Sequence, residues 1–251
     1  MNGPPLLKVS GIAKRFDGLV ATDHVSLEQN AGEVHALIGP NGAGKSTFVN
    51  LLCGSLRPDA GTIKLDGADI GHLSTVERVH RGLSRTFQMT QLLLDYSVLE
   101  NVQLAVQSQA GHSFRFFKSA RHDAKAMAAA MACLVRVGLC KRAKVRVADL
   151  AQGERKQLEL AIALAAKPRL LLLDEPMAGL IALDSQNMVA LLQTLKTETT
   201  IFIVEHDMNA VFALADRISV LVNGRILMSG TAAEVKASDD VRRAYLGEGD
   251  V

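Results

Sequence analysis

An α/β fold built around a mainly parallel sheet is predicted by three features of this 251-residue chain. The second half alternates strand-like apolar runs with helical stretches, the pattern of a parallel sheet covered by helices. A glycine-rich segment, Gly39-Pro40-Asn41-Gly42-Ala43-Gly44-Lys45-Ser46-Thr47, lies between a buried strand and a helix. A second buried strand, Leu170-Leu171-Leu172-Leu173, ends in Asp174-Glu175, and open α/β sheets place their ligands at the carboxyl ends of strands.

The elements follow in order. The first thirty residues hold three apolar runs, Leu6–Val9, Lys14–Phe16 and Val25–Leu27, separated by turn residues such as Asp17-Gly18 and Asn30-Ala31-Gly32. They predict short antiparallel strands. Val34–Ile38 is the buried strand before the glycine-rich loop, and Ser46–Leu52 is the helix that leaves it. Arg57–Gly61 reads as a loop, and Thr62–Leu65 and Leu83–Phe87 as strands. From Ser97 to Leu139 the pattern is helical. Within it, Met127, Met131, Leu134 and Val135 share one face, read as core packing, and Gly138 ends the helix. Beyond it come helix 153–166, strand 169–173, helix 185–196, strand 200–204, helix 208–214, and strands 218–222 and 225–228. No internal repeat or low-complexity segment is visible.

Bulk properties set bounds. Apolar residues make up 48%, enough for a sizeable core. With no Trp and two Tyr, the case for an aromatic nucleic-acid platform is weak, and no nucleic-acid partner is expected. Cys53, Cys133 and Cys140 have no metal-ligand spacing and read as reduced, mostly buried residues of a reducing compartment. Neither a secretory signal nor a run of about 20 apolar residues is present, so the expectation is a protein that serves a membrane only from its surface. Charge is uneven. Residues 111–146 carry nine basic residues and one acid, a net +8, which leaves −6 for the rest of the chain. That segment reads as a solvated helix face or as a surface facing anionic lipid, with nucleic acid as a third option.

The glycine-rich loop fits G-x-x-x-x-G-K-[ST], a P-loop. Its glycines let the backbone curl so that successive N–H groups point at one anion, and the helix N-terminus adds partial positive charge behind them. Gly39, Pro40, Asn41, Gly42, Ala43, Gly44, Lys45, Ser46 and Thr47 therefore form the predicted phosphate cradle. Lys45 reaches the β- and γ-phosphates, and Ser46 puts its hydroxyl on Mg²⁺. Asp174 is the second predicted Mg²⁺ ligand, and Glu175 is placed to polarise the attacking water.

A helix opens at Leu150-Ala151-Gln152-Gly153-Glu154, and a histidine follows a later apolar strand in Ile203-Val204-Glu205-His206-Asp207. The order of P-loop, glutamine, L-[SA]-x-G-[EQ], L-L-L-L-D-E-P and histidine resembles the ATP-binding subunits of ABC transporters over nearly the whole chain. The resemblance implies a P-loop NTPase with an N-terminal antiparallel β-subdomain. It also implies one domain over 1–251, with an inserted helical subdomain at about 89–167 and a helical tail at about 231–251. It implies that Phe16 stacks on adenine and that Gln88 reaches Mg²⁺ and the water while sensing the membrane subunit. Ala151, Gly153 and Glu154 would bind the γ-phosphate held by a second protomer, and His206 would contact the γ-phosphate. Lys45, Gln88, Glu175 and His206 form the expected catalytic set, with ATP and Mg²⁺ as ligands. Two departures stand out. Ala151 replaces a common Ser and loses one hydroxyl contact. Ile181 stands where a polar residue, commonly Asp, bonds across the dimer.

Within the family, the chain is most similar to the longer ATPase subunit of branched-chain amino acid importers. Arg85-Thr86-Phe87-Gln88, Ser97–Val102, the insertion near 107–127, Glu205–Met208 and Val241–Gly247 carry that similarity. It implies membrane permease subunits, a second ATP-binding subunit and, indirectly, a substrate-binding protein as partners. The location it implies is peripheral, on the cytoplasmic face of the inner membrane. Urea or amide import, a lipopolysaccharide-type exporter and a soluble non-transport ABC ATPase are the alternatives.

Overall fold

A computed structural model describes residues 3–86, 92–109 and 124–246. Two sheets organise it. The larger has the strand order β10-β9-β3-β8-β7-β6. Its members are β3 (Val34–Ile38), β6 (Leu83–Thr86), β7 (Leu170–Asp174), β8 (Thr200–Val204), β9 (Arg217–Val222) and β10 (Arg225–Gly230). The five strands from β9 to β6 run parallel, and β10 is an antiparallel edge. The smaller sheet, β2-β1-β4-β5, is antiparallel. It is built from β1 (Leu7–Phe16), β2 (Leu19–Gln29), β4 (Ala60–Leu65) and β5 (Ala68–Asp69). The predicted α/β class and N-terminal antiparallel unit are both present.

The parallel strands are apolar along their whole length because both faces are covered. In β7, Leu171 and Leu173 enter one core while Leu170 and Leu172 enter the other, and β8 divides in the same way, with Ile201 and Ile203 opposite Phe202 and Val204. One core lies under α1 (Lys45–Cys53) and the small sheet. The other lies under α5 (Gln152–Ala165), α6 (Ala182–Leu195) and α7 (Met208–Leu214), together with α3 (Val98–Gln109) and α4 (Ala124–Arg136). α2 (Thr75–His80) precedes β6, and α8 (Ala232–Ala237) and α9 (Asp239–Leu246) close the described chain.

Two expectations are corrected. The N-terminal strands are long, with 10 and 11 residues in β1 and β2. Register shifts between Val9 and Arg15 break the apolar alternation without ending the pairing, so one bulged ladder reads in sequence as several short strands. On α4, Met127 and Val135 are exposed, and the buried residues are Ala126, Ala130, Cys133 and Leu134. Leu134 is in the core as expected and Met131 packs against it, but the rest of the buried stripe is made of the small residues Ala126, Ala130 and Cys133, which let helices pack closely. Cys140 is exposed, whereas Cys53 and Cys133 are buried, and all three are free thiols. Phe87, Gln88, Arg115, Lys118 and Arg121 lie outside the described residues. Of the described basic residues in 124–146, Arg136 pairs with Glu198, Arg142 with Glu154 and Arg146 with Asp149.

Candidate active site

In the large sheet β3, β8 and β7 are consecutive neighbours. Their carboxyl ends therefore bring the P-loop, Glu205-His206 and Asp174-Glu175 side by side, although up to 167 residues separate them in the chain. The P-loop is held from behind. A Cβ built on Gly39 would run into the Leu221 carbonyl, and one on Gly44 into the Ala21 carbonyl. Gly44 also has φ 104°, a backbone conformation that glycine alone adopts without strain. These two positions fix the curl of the loop against β9 and β2.

Lys45 is almost fully buried. Its Nζ donates to the carbonyls of Gly39 at 2.6 Å and Pro40 at 2.9 Å. Burial lowers its pKa, and the charges of Glu175 and Asp174 oppose that shift. Asn41, Gly42 and Ser46 are exposed, Pro40, Gly44 and Thr47 are half-buried, and Gly39 and Ala43 are buried.

The Asp174 side chain is buried at the end of β7. Its Oδ2 accepts from Arg85 Nη2 at 2.6 Å, while Oδ1 is buried with no hydrogen-bond partner among the described residues. Arg85 Nη1 also reaches Asn50 Oδ1 at 2.7 Å, on α1. The guanidinium thus ties β6, β7 and the P-loop helix together. A lone buried carboxylate oxygen is costly unless something fills its place, and a hard, oxygen-seeking cation held mainly by phosphates suits it.

Glu175 has φ 51°, which is rare for a residue with a side chain and costs on the order of 1–3 kcal/mol. The strain is held in place by Glu175 N donating to the Val204 carbonyl at 2.8 Å. Across from it, His206 Nε2 lies 2.7 Å from Glu175 Oε1. Both side chains are partly open to solvent, with relative exposures of 43% for His206 and 25% for Glu175. The predicted pair therefore meets in one hydrogen bond at an accessible surface.

The remaining predicted residues lie on two other elements. Phe16 is exposed at the end of β1, where Lys14 Nζ approaches its ring at 5.6 Å. Ala151, Gly153 and Glu154 stand at the start of α5. Ala151 offers no side-chain cap, and the Glu154 carboxylate is already engaged, accepting from Ala151 N at 3.0 Å and pairing with Arg142 at 2.8 Å. Gly153 abuts Asp184 of α6 so closely that a Cβ there would collide with the carboxylate. The sequence reading gave no role to Arg85 or Glu205. Glu205 is visible in hindsight as an acid that ends an otherwise apolar strand. The Arg85 contact joins residues 89 positions apart and has no local signal.

A P-loop followed by strand-end acids on a parallel sheet defines a nucleotide-binding α/β ATPase. Comparison with known proteins narrows the class. The family model described as ABC transporter matches residues 22–178, and one for branched-chain amino acid ATP-binding cassette transporters matches 225–251. LivG of Salmonella typhimurium, a high-affinity branched-chain amino acid transport ATP-binding protein, is 39% identical and covers 97% of this chain and 98% of its own. BraF of Pseudomonas aeruginosa, described in the same terms, is 37% identical with the same coverage. The crystal structure of an ABC transporter cassette in its ADP conformation superposes with a TM-score of 0.87 at 29% identity, covering 98% of this chain and all of that one. The chain belongs to the ABC transporter ATP-binding family. It is a nucleotide-binding ATPase whose hydrolysis is coupled to transport.

Proposed function

We propose that this subunit powers an importer for branched-chain amino acids or closely related small polar cargo, and that Glu175 and His206 act on the water that attacks ATP. The single observation that carries the catalytic part is the 2.7 Å contact between His206 Nε2 and Glu175 Oε1 beside the P-loop strand. Glu175 orients and polarises the water. His206 holds that carboxylate and meets the γ-phosphate. Lys45 and the P-loop amides carry the β- and γ-phosphates, and Phe16 offers its exposed ring to adenine. Ser46, Gln88 and Asp174 are the proposed Mg²⁺ ligands, with the unpartnered Asp174 Oδ1 as the anchor. The bound cation supplies neutralisation of the phosphate charge.

The uncapped start of α5 provides the contact to a nucleotide held by a second ATP-binding subunit, with Ala151, Gly153 and Glu154 at its mouth. Binding across two such faces makes ATP the joint between the subunits, and its hydrolysis releases them, a ligand-driven two-state switch. The branched-chain cargo rests on the LivG and BraF relatives and the C-terminal match. Among the described residues no helix is long and apolar enough to cross a membrane, in keeping with a peripheral subunit docked on permease partners at the cytoplasmic face. The inserted helical subdomain, about 89–167, supplies that docking.

Glu175→Gln tests the catalytic assignment. Steady-state hydrolysis should fall at least 100-fold while ATP still binds, and size-exclusion chromatography with ATP and Mg²⁺ should show a trapped dimer. Hydrolysis near the wild-type rate would remove Glu175 from its role. Uptake of labelled leucine by vesicles carrying the assembled transporter tests the cargo.

A further inference from the structure

Glu205 lies next to His206 yet points away from solvent, and only 3% of the residue is exposed. Such burial of an acid is uncommon without strong partners. Its partners are three backbone amides on two different loops. Oε1 accepts from Met177 N at 2.7 Å, in the loop that follows Glu175. Oε2 accepts from His206 N at 2.9 Å and more weakly from Asp207 N at 3.4 Å. Asp207 is itself fixed, because its side chain caps α7 through Asn209 N and Ala210 N. One carboxylate thus bridges the loop after β7 to the loop after β8.

We propose that Glu205 is a positioning residue for ATP hydrolysis, whose carboxylate clamps the two loops so that Glu175 and His206 stay in register with each other. The proposal rests on the reading of Glu175 and His206 given above. Its physical basis is the strain at Glu175. A positive φ on a residue with a side chain persists only where the surroundings over-determine it. Upstream the constraint is the Glu175 N bond to Val204; downstream, Ala178 N closes a turn on the Glu175 carbonyl at 3.1 Å, and the Met177 N bond to Glu205 ties that turn to the loop that carries His206. Without the Met177–Glu205 bond, the turn after Glu175 loses its side-chain tie to the His206 loop and can shift as a unit, carrying the Glu175 carboxylate away from His206. The carboxylate form suits the role because both of its oxygens are acceptors. An amide in its place would turn an NH₂ group toward either Met177 N or His206 N, and two donors would then face each other.

The test uses the assembled transporter and four variants: Glu205→Gln, His206→Ala, their double, and Glu175→Gln as the control for the underlying reading. Glu205→Gln should lower kcat by about 10- to 100-fold, the scale of a misplaced catalytic group, with KM for ATP within about threefold of wild type. The double variant should hydrolyse within about threefold of His206→Ala alone, since with one member of the pair gone its register no longer matters. Wild-type kcat in Glu205→Gln, a rise in KM without a fall in kcat, or losses that multiply in the double variant would each overturn the proposal. If thermal unfolding shows that Glu205→Gln does not fold, Glu205→Asp replaces it. That side chain keeps the charge but is one methylene too short to bridge both loops. It should show the same kcat loss, and wild-type kcat would again overturn the clamp. Continued hydrolysis by Glu175→Gln would defeat the reading of Glu175 itself, whatever Glu205 does.

Discussion

The two ends of α1 are treated in opposite ways. At its N-terminus the cap is Gly44, which has no side chain to offer, and no side-chain hydrogen bond closes the first turn. At its C-terminus the carbonyls of Leu51 and Leu52 each accept from Arg78 Nη1, at 2.6 and 2.7 Å. The same guanidinium serves the Leu73 and Gly71 carbonyls. Arg78 is 1% exposed, so this is a fully internal plug. The end proposed to meet phosphate is left open, and the opposite end is sealed. The contrast extends along the chain. α2, α7 and α8 begin with Ser74, Asp207 and Thr231, each accepting from its own first turn, and Ser97 with Glu100 does the same for α3. α5 and α6 start at Ala151 and Ile181 and have no side-chain cap. Among the helix starts whose caps are described, the uncapped ones are those of the P-loop helix and of the two segments proposed to face a partner subunit. Open backbone donors are a resource for a ligand, and the protein closes them wherever no ligand comes.

The sealed end should give the largest effect when broken. Arg78→Ala strands four backbone carbonyls and leaves a void. Destabilisation on the order of 3–5 kcal/mol is expected, read by urea unfolding. A loss under about 1 kcal/mol would mean that water replaces the guanidinium and that the plug is incidental. Breaking the open end should act on binding instead. Gly44→Ala forces a Cβ against the Ala21 carbonyl at a φ alanine avoids. ATP affinity should drop by roughly 100-fold or more, about 3 kcal/mol, in a titration with a fluorescent ATP analogue. Unchanged affinity would show that the loop does not depend on this curl.

A capped helix away from the site provides the counterpart. Ser74→Ala removes the side-chain half of the α2 capping box and keeps the Glu77 carboxylate bond to the backbone N of residue 74, at a cost of about 1 kcal/mol. ATPase activity should stay within twofold. A large loss of activity with little loss of stability would erase the distinction between sealed and open helix starts.

Much of this arrangement was legible in the sequence, for a specific reason. The P-loop, Asp174-Glu175 and the start of α5 are contiguous stretches whose spacing is set by the local backbone. The buried strands are legible because a sheet covered on both faces needs unbroken apolar runs. What escaped notice was long-range or subtle. The Arg85–Asp174 pair and the Glu205 bridge join strands that only the sheet order brings together. On α4 the buried stripe is marked by Ala126 and Ala130, which look unremarkable beside Met127. In β1 the bulges disguise one long strand as fragments.

The smallest expected effect concerns Ile181, and it separates two jobs that one position can hold. Ile181 is the N-cap of α6, with φ −73° and ψ 160°, and the residue is 68% exposed. That backbone geometry matches a capping residue, but the isoleucine cannot accept from the first turn. A polar residue here would in the family bond across the dimer. In the isolated chain it would instead cap its own helix. Ile181→Asp should therefore stabilise the isolated protein by about 0.5–1 kcal/mol, seen as a higher midpoint in urea. Asp184 lies in the same first turn, so the new acid also meets a like charge. Ile181→Asn keeps the cap without that repulsion and should gain slightly more. If both variants are stabilised and the assembled transporter keeps its Hill coefficient for ATP, isoleucine leaves this helix start open without a role at the partner face. If they are stabilised alone but assemble poorly, the exposed isoleucine is an apolar contact for the second subunit, and an open helix start has been kept for it. If neither gains stability, the first turn of α6 is already satisfied, and α6 leaves the group of open helix starts.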